Sequence, residues 1–143
     1  MSLEVSTVSA APGTEVTIEV MLHTDGVEVA GIQNDLSFDR ATAITSCRVN
    51  PDIDKKASGF ALHPRGCKAG GDCERLRALI VSLENSKPIA DGAVLYQCVV
   101  KVAADAAPRS YALTTSAVFA SDPTGAAPAA KGVDGKVIVE SKG

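Results

Sequence analysis

Four cysteines are the residues of this chain with the most evident chemistry: Cys47, Cys67, Cys73 and Cys98. Zinc sites use cysteines and histidines at short, regular spacings, but the chain has no Cys-x-x-Cys pair and neither histidine lies beside a cysteine pair. An even number of cysteines in 143 residues favours two disulfides, which form in oxidising compartments. Three pairings are possible and the spacing does not select one, while free buried thiols are the alternative.

The two histidines lack the partners that catalysis requires. His23 falls on the polar side of an alternating segment, and His63 precedes a proline. Neither has a serine or cysteine at a recognisable catalytic spacing. Gly-x-Ser-x-Gly, glycine-rich phosphate loops and His-Glu-x-x-His are also absent. The sequence therefore predicts a protein that is not an enzyme.

Two pairs of aspartates could suggest calcium, namely Asp52 with Asp54 and Asp122 with Asp134. Calcium needs about six to eight oxygen ligands that converge from several positions. Asp52 and Asp54 are followed by two lysines, which is typical of a solvated loop. We therefore expect no bound metal and no cofactor.

Composition excludes several classes of protein. The net charge is −3 and 45% of the residues are hydrophobic, so neither a nucleic-acid surface nor a disordered tail is indicated. No apolar run approaches the roughly 20 residues that a membrane span needs.

We expect a single domain over residues 1–143. Because a strand pattern begins almost at once, we also expect one module of a longer secreted protein, located outside the cell or on its surface.

Alternation of apolar and polar residues predicts the elements. In Glu15–His23, four apolar residues alternate with polar ones, as in a strand with one buried face. Asn34 falls on the apolar side of the next segment and would need a partner if it is buried. Turn signals and the lack of any helical period predict about nine short strands in an antiparallel sandwich. Further strands are predicted at 29–38, 41–49, 60–63, 76–83, 94–103, 111–120 and 136–140.

Several of these segments, taken in order, resemble the cohesin modules of bacterial cellulosome scaffolds. They are Pro12–Ile18, Val29–Asp39, Asp91–Val102, Ser110–Leu113 and Gly132–Val139. The resemblance covers roughly residues 3–140. It implies an all-β, nine-stranded jelly-roll sandwich, a fold shared with some carbohydrate-binding modules. It also implies that the third, fifth, sixth and eighth strands present one flat sheet face to a dockerin-type partner, with Asp91–Val102 matching the eighth strand.

The resemblance also implies a disulfide pairing. Cys98 occupies a position that the family turns inward, and Cys47 ends the fourth strand, in the opposite sheet. A Cys47–Cys98 bridge would then tie the two sheets together, and Cys67–Cys73 would close a short loop.

Two segments, Arg77–Leu83 and Leu95–Lys101, are apolar on both sides. If these strands are neighbours, the outer face of one sheet carries an apolar patch with a polar rim, which is typical of an interaction site. Alternatively, the Cys67–Cys73 loop covers the patch. The predicted partner-binding residues are Gln33, Asp35, Ser37, Leu79, Val81, Leu95, Gln97, Val99 and Lys101.

Two functions other than protein docking are compatible with the sequence. The fold also suits a carbohydrate-binding module with a polysaccharide ligand, but sugar rings stack on aromatic platforms and the chain has no Trp and two Tyr. The domain could also be a structural spacer of a surface protein.

Overall fold

Eleven strands form in the computed structural model, which describes residues 1–141. A single 3₁₀ turn, Pro51–Ile53, lies between the fifth and sixth strands. Residues 142 and 143 of the predicted domain lie outside the described residues. The strands are β1 (Ser2–Val5), β2 (Thr7–Ala10), β3 (Glu15–His23), β4 (Gly31–Ser37), β5 (Thr42–Val49), β6 (Gly59–His63), β7 (Arg75–Ile80), β8 (Val94–Val102), β9 (Ser110–Ser121), β10 (Lys131–Val133) and β11 (Gly135–Val139).

The strands form two sheets that face each other. The first sheet has the order β10-β1-β3-β8-β5, and the second has the order β2-β11-β9-β4-β7-β6. The predicted all-β sandwich is confirmed. Its core is the alternating apolar side of each strand, as in β3, where Ile18, Val20 and Leu22 are buried.

The prediction of about nine antiparallel strands is wrong, because both ends of the chain divide between the sheets. Near Ser6 the chain passes from β1 in the first sheet to β2 in the second, and near Asp134 it passes from β10 to β11. The divided segments pair in parallel, β1 with β10 and β2 with β11. Gly135 permits the crossing, since a Cβ there would lie 2.6 Å from the carbonyl oxygen of Val5.

Both implied disulfides are present, Cys47–Cys98 and Cys67–Cys73. The role expected for the first is wrong, because β5 and β8 are neighbours within the first sheet. Cys47 and Cys98 are directly opposite each other in that pair, with their Cα atoms 4.1 Å apart. The bridge therefore joins two strands of one sheet and does not join the sheets.

The Cys67–Cys73 loop connects β6 to β7 and folds against the first sheet. A Cβ on Gly70 would lie 3.6 Å from Cγ2 of Thr45 on β5, which places the loop in contact with that strand. Leu79 on the second sheet remains 42% exposed. The loop therefore does not cover Leu79, and the alternative prediction of a covered patch is wrong for this residue.

Lys55 ties the segment after the 3₁₀ turn to the loop after β7. Its side chain is buried, and its ammonium donates to Oδ1 of Asn85 and to the carbonyl of Lys87, each at 2.9 Å. Burial lowers the pKa of Lys55. Both acceptors are uncharged, so this contact holds two loops together through hydrogen bonds.

Candidate functional site

The predicted binding residues divide between the two sheets. Gln33, Asp35 and Ser37 lie on β4 and Leu79 on β7, all in the second sheet, and Val81 follows β7 directly. The other four, Leu95, Gln97, Val99 and Lys101, lie on β8 in the first sheet. The prediction of one patch across Leu79 and β8 is therefore wrong.

The pairing of the strands explains the error. β7 pairs with β4 and β6, whereas β8 pairs with β3 and β5, so the chain crosses from one sheet to the other between them. Leu95 is fully buried and cannot contact a partner. Because both strands are apolar on two sides, their patterns are the same whether or not they are neighbours.

The outer face of the second sheet is built from cross-strand rows. Side chains of directly opposed residues lie on the same side of a sheet and contact one another. One row runs Leu79–Gln33–Phe119, the next Arg77–Asp35–Ser116, and the third Arg75–Ser37–Thr114. We call these nine residues the β7–β4–β9 face.

An apolar end of this face is formed by Leu79 and Phe119, which flank Gln33. Leu79 is 42% exposed and Phe119 63% exposed. Sequence reasoning missed Phe119, since alternation along β9 puts it on the same side as the buried residues Tyr111 and Leu113. A bulge at Ala117, with φ of 49°, reverses the alternation and turns Phe119 outward.

The centre of the face is an ion-pair cluster. Asp35 was expected on a polar rim, but it is buried, and its carboxylate accepts hydrogen bonds from Nε of Arg77 at 2.8 Å and Nη2 at 3.1 Å. Nε of Arg75 lies 3.7 Å from the same carboxylate. The hydrogen bond from Arg77 lowers the pKa of Asp35, and the same contact raises the pKa of Arg77. The two arginine side chains cover the carboxylate, which is why Asp35 is buried.

A polar network supports the face from beneath. The hydroxyl of Tyr96 donates to Oδ1 of Asn34 at 2.9 Å, and Nδ2 of Asn34 donates to the hydroxyl of Thr115 at 3.3 Å. Asn34 therefore has the partners that its burial requires. Burial raises the pKa of Tyr96. The network links β8 in the first sheet to β4 and β9 in the second.

The histidines and the Cys67–Cys73 group, which could take part in catalysis or metal binding, contact neighbouring side chains instead. His23 lies 2.8 Å from Glu4 on the surface, and His63 is the cross-strand neighbour of Arg75. Within residues 1–141, the metal-like grouping of Cys67, Asp72 and Cys73 contains two sulfurs that are joined in a disulfide, so neither is a free thiolate. No helix in this described range is long and apolar enough to cross a membrane.

Comparison with known proteins identifies the architecture. No protein-family model matches the chain, and no curated protein matches it significantly by sequence. Among solved structures, the seventh ScaB type I cohesin from Pseudobacteroides cellulosolvens aligns with a TM-score of 0.81 at 17% identity, over 99% of this chain and 93% of that one. The sixth cohesin of scaffoldin B from Acetivibrio cellulolyticus, in complex with a Cel5 dockerin mutant, aligns with a TM-score of 0.78 at 18% identity, over 97% and 98%.

A cohesin from outside the cellulosome has the same architecture. The non-cellulosomal cohesin from the hyperthermophilic archaeon Archaeoglobus fulgidus aligns with a TM-score of 0.74 at 16% identity, over 99% of this chain and 91% of that one. These alignments cover nearly the whole of each chain, so the likeness extends to the complete sandwich. The chain therefore has the cohesin fold.

Proposed function

We propose that the chain is a non-catalytic docking module that binds a dockerin-type protein through the β7–β4–β9 face. The observation that carries this proposal is the pair of exposed apolar side chains, Leu79 and Phe119, on a flat sheet of otherwise polar residues. Large apolar side chains surrounded by a polar rim are typical of protein interfaces. A structural neighbour, the sixth cohesin of scaffoldin B, is in complex with a dockerin.

The two disulfides support a location outside the cell. Such bonds persist in oxidising compartments and are rare in the cytosol. All four cysteines are paired. A secreted or surface-displayed docking module is consistent with this chemistry.

The proposal separates the two halves of the predicted site. Binding residues are expected on the second sheet, including Gln33, Asp35, Ser37 and Leu79, with Phe119 added and Val81 at the border. The β8 residues Gln97, Val99 and Lys101 belong to the opposite surface. A substitution on each sheet can therefore test the assignment.

A capture experiment followed by titration tests the docking function. The immobilised chain is incubated with proteins secreted by its source organism, and each captured protein is identified, expressed and titrated by calorimetry. Leu79→Asp should weaken binding at least about tenfold, since it puts a charge into the apolar contact. Val99→Asp, a matched change on the first sheet, should leave the affinity unchanged. Thermal melts verify folding, and Phe119→Ser is the milder variant if Leu79→Asp unfolds.

Two results would contradict the proposal. One is a specifically bound partner without a dockerin-type module. The other is equal affinity for the wild-type chain and Leu79→Asp, which would move the contact away from this face. A polysaccharide ligand is less well supported, because Tyr96 and Tyr111 are buried and Phe119 stands alone as a large exposed ring on the face.

A further inference from the structure

The charge of the β7–β4–β9 face has the opposite sign to that of the whole chain. The protein carries a net charge of −3. Among the nine residues of the face, Arg75 and Arg77 contribute two positive charges and Asp35 one negative charge, which leaves one net positive charge. Asp35 is buried while the arginine side chains are 44% and 45% exposed, so a partner meets cations and not the carboxylate.

Arg75 has more unused hydrogen-bond donors than Arg77. Arg77 uses Nε and Nη2 on Asp35. Nε of Arg75 is buried 3.7 Å from that carboxylate without a hydrogen-bond partner in residues 1–141, so the exposed part of this side chain is its terminal Nη groups. A guanidinium presents five N–H donors and pairs well with a carboxylate in a bidentate geometry. The Nη groups of Arg75 can therefore donate to a carboxylate from outside without the loss of an existing strong contact.

The surroundings of Arg75 leave room for such a group. An open depression at this end of the face is lined by Arg75, His63 and Ser37, together with Asp39, Arg40 and Glu74. Arg40 and Glu74 neutralise each other through a contact of 2.7 Å. Asp39 is paired with Arg109, whose Nη2 lies 3.9 Å from its carboxylate. The positive charge left at this end of the face is therefore the one that Arg75 and Arg77 together carry in excess of Asp35.

We propose that the partner presents an acidic side chain to Arg75 while its apolar residues contact Leu79 and Phe119. This inference rests on the proposed docking function and specifies the chemistry of the partner. Leu79 and Arg75 are four residues apart on β7, which is about 13 Å in a strand. In a helix lying along β7, the residue seven positions away returns to the same face after about two turns, or about 11 Å, and the long arginine side chain spans the remainder. The partner surface is therefore an apolar stripe with a carboxylate about two turns away.

A displayed library tests this chemistry directly. The probe is a yeast-displayed dockerin module in which exposed helix positions are randomised among Asp, Lys, Ser and Leu. Selection on the wild-type chain should enrich Asp about two helical turns from a retained Leu. Arg75→Glu should weaken the selected clones about tenfold or more, and Lys101→Glu, the same charge change on the first sheet, should not. Arg75→Gln gives an intermediate loss if charge reversal perturbs folding.

The outcomes separate this inference from the docking function. Clones that lose binding to Leu79→Asp but show no enrichment of Asp, or bind Arg75→Glu equally well, would refute the acidic partner and leave docking intact. A failure to select any clone, or clones indifferent to Leu79→Asp, would overturn both. Enrichment of Lys at the same positions would also overturn the charge assignment.

Discussion

The hydroxyl of Tyr96 lies inside the sandwich and donates to Asn34, so each group depends on the other for a partner. Tyr96→Phe removes the donor and leaves Oδ1 of Asn34 buried without a hydrogen bond. We expect a loss of about 1–3 kcal/mol in the free energy of unfolding. Chemical denaturation measures this, with Tyr111→Phe as the matched control because the Tyr111 hydroxyl bonds a carbonyl in a less buried position. Equal stability of wild type and Tyr96→Phe would contradict the role of the network.

Asp35 makes the stability of the fold depend on pH in the acidic range. Its pKa is lowered in the folded protein, so the unfolded chain binds more protons below about pH 4 and stability falls as the pH falls through the folded pKa. Asp35→Asn should be less stable than wild type at pH 7 but should lose less stability between pH 6 and pH 3.

Denaturation curves at a series of pH values measure the acid effect. Asp105→Asn, on an exposed loop, is the control for loss of one carboxylate. Other aspartates with lowered pKa values, such as Asp91 and Asp122, are unchanged in both proteins and cancel in the comparison. Parallel curves for wild type and Asp35→Asn would disprove the coupling.

Single side chains were predictable where alternation is uninterrupted. The inward side of β3 followed from its sequence, and Ile18, Val20 and Leu22 are buried as expected. Phe119 was not predictable, because nothing in the residues around Ala117 requires a non-glycine residue to take positive φ there. Asp35 was placed on the outer side of its strand, but its burial depends on arginines of β7, and the sequence does not specify that β7 pairs with β4.

The two disulfides close loops of very different length. Cys47–Cys98 links β5 to β8 across a sequence separation of 51, whereas Cys67–Cys73 has a separation of 6. In the chain-entropy model, the longer closure contributes up to about 4 kcal/mol and the shorter about 2 kcal/mol. We therefore expect Cys47→Ala/Cys98→Ala to lower the stability more than Cys67→Ala/Cys73→Ala.

Denaturation of the two double variants under identical conditions measures this difference. Burial does not separate the two pairs, since each has one core cysteine, Cys98 or Cys73, and one partly buried cysteine. The expected order therefore depends on the length of the closed loop. The opposite order would mean that the β6–β7 loop contributes more through its contact with Thr45 than chain entropy predicts.

At the level of elements, the positions of strands were more predictable than their partners. β3, β4, β5, β6, β7, β8 and β9 each overlap a predicted segment. The partition of β7 and β8 between sheets was not predictable from pattern, because a strand that is apolar on both sides fits either sheet. The division of each chain end into two short strands was also missed. The residue types around Ser6 and Gly135 do not by themselves indicate that the chain crosses between sheets there.

Across the whole molecule, protection should follow the order of the strands in the sheets. β3, β4, β8 and β9 each have hydrogen-bonded neighbours on both sides, whereas β10 is a three-residue edge strand whose residues are all exposed. Opening an edge strand exposes little apolar surface, so it costs less than global unfolding. Amide hydrogen exchange followed by mass spectrometry should find 131–133 among the fastest strand segments and 31–37 among the slowest. Fast exchange across β4 would contradict this hierarchy.

The parallel pairing of the chain ends determines how the molecule carries a mechanical load. The amino group of Met1 donates to the carbonyl of Ala129, and the backbone N–H of Glu140 donates to the carbonyl of Ala10. Residues 1 and 140 therefore lie at opposite ends of the paired segments, and tension between them pulls those segments along their own axes in opposite directions. The inter-strand hydrogen bonds are then loaded together in shear and are not opened one after another. When residues 1 and 140 are pulled apart, the paired terminal segments therefore resist the opening of the sandwich.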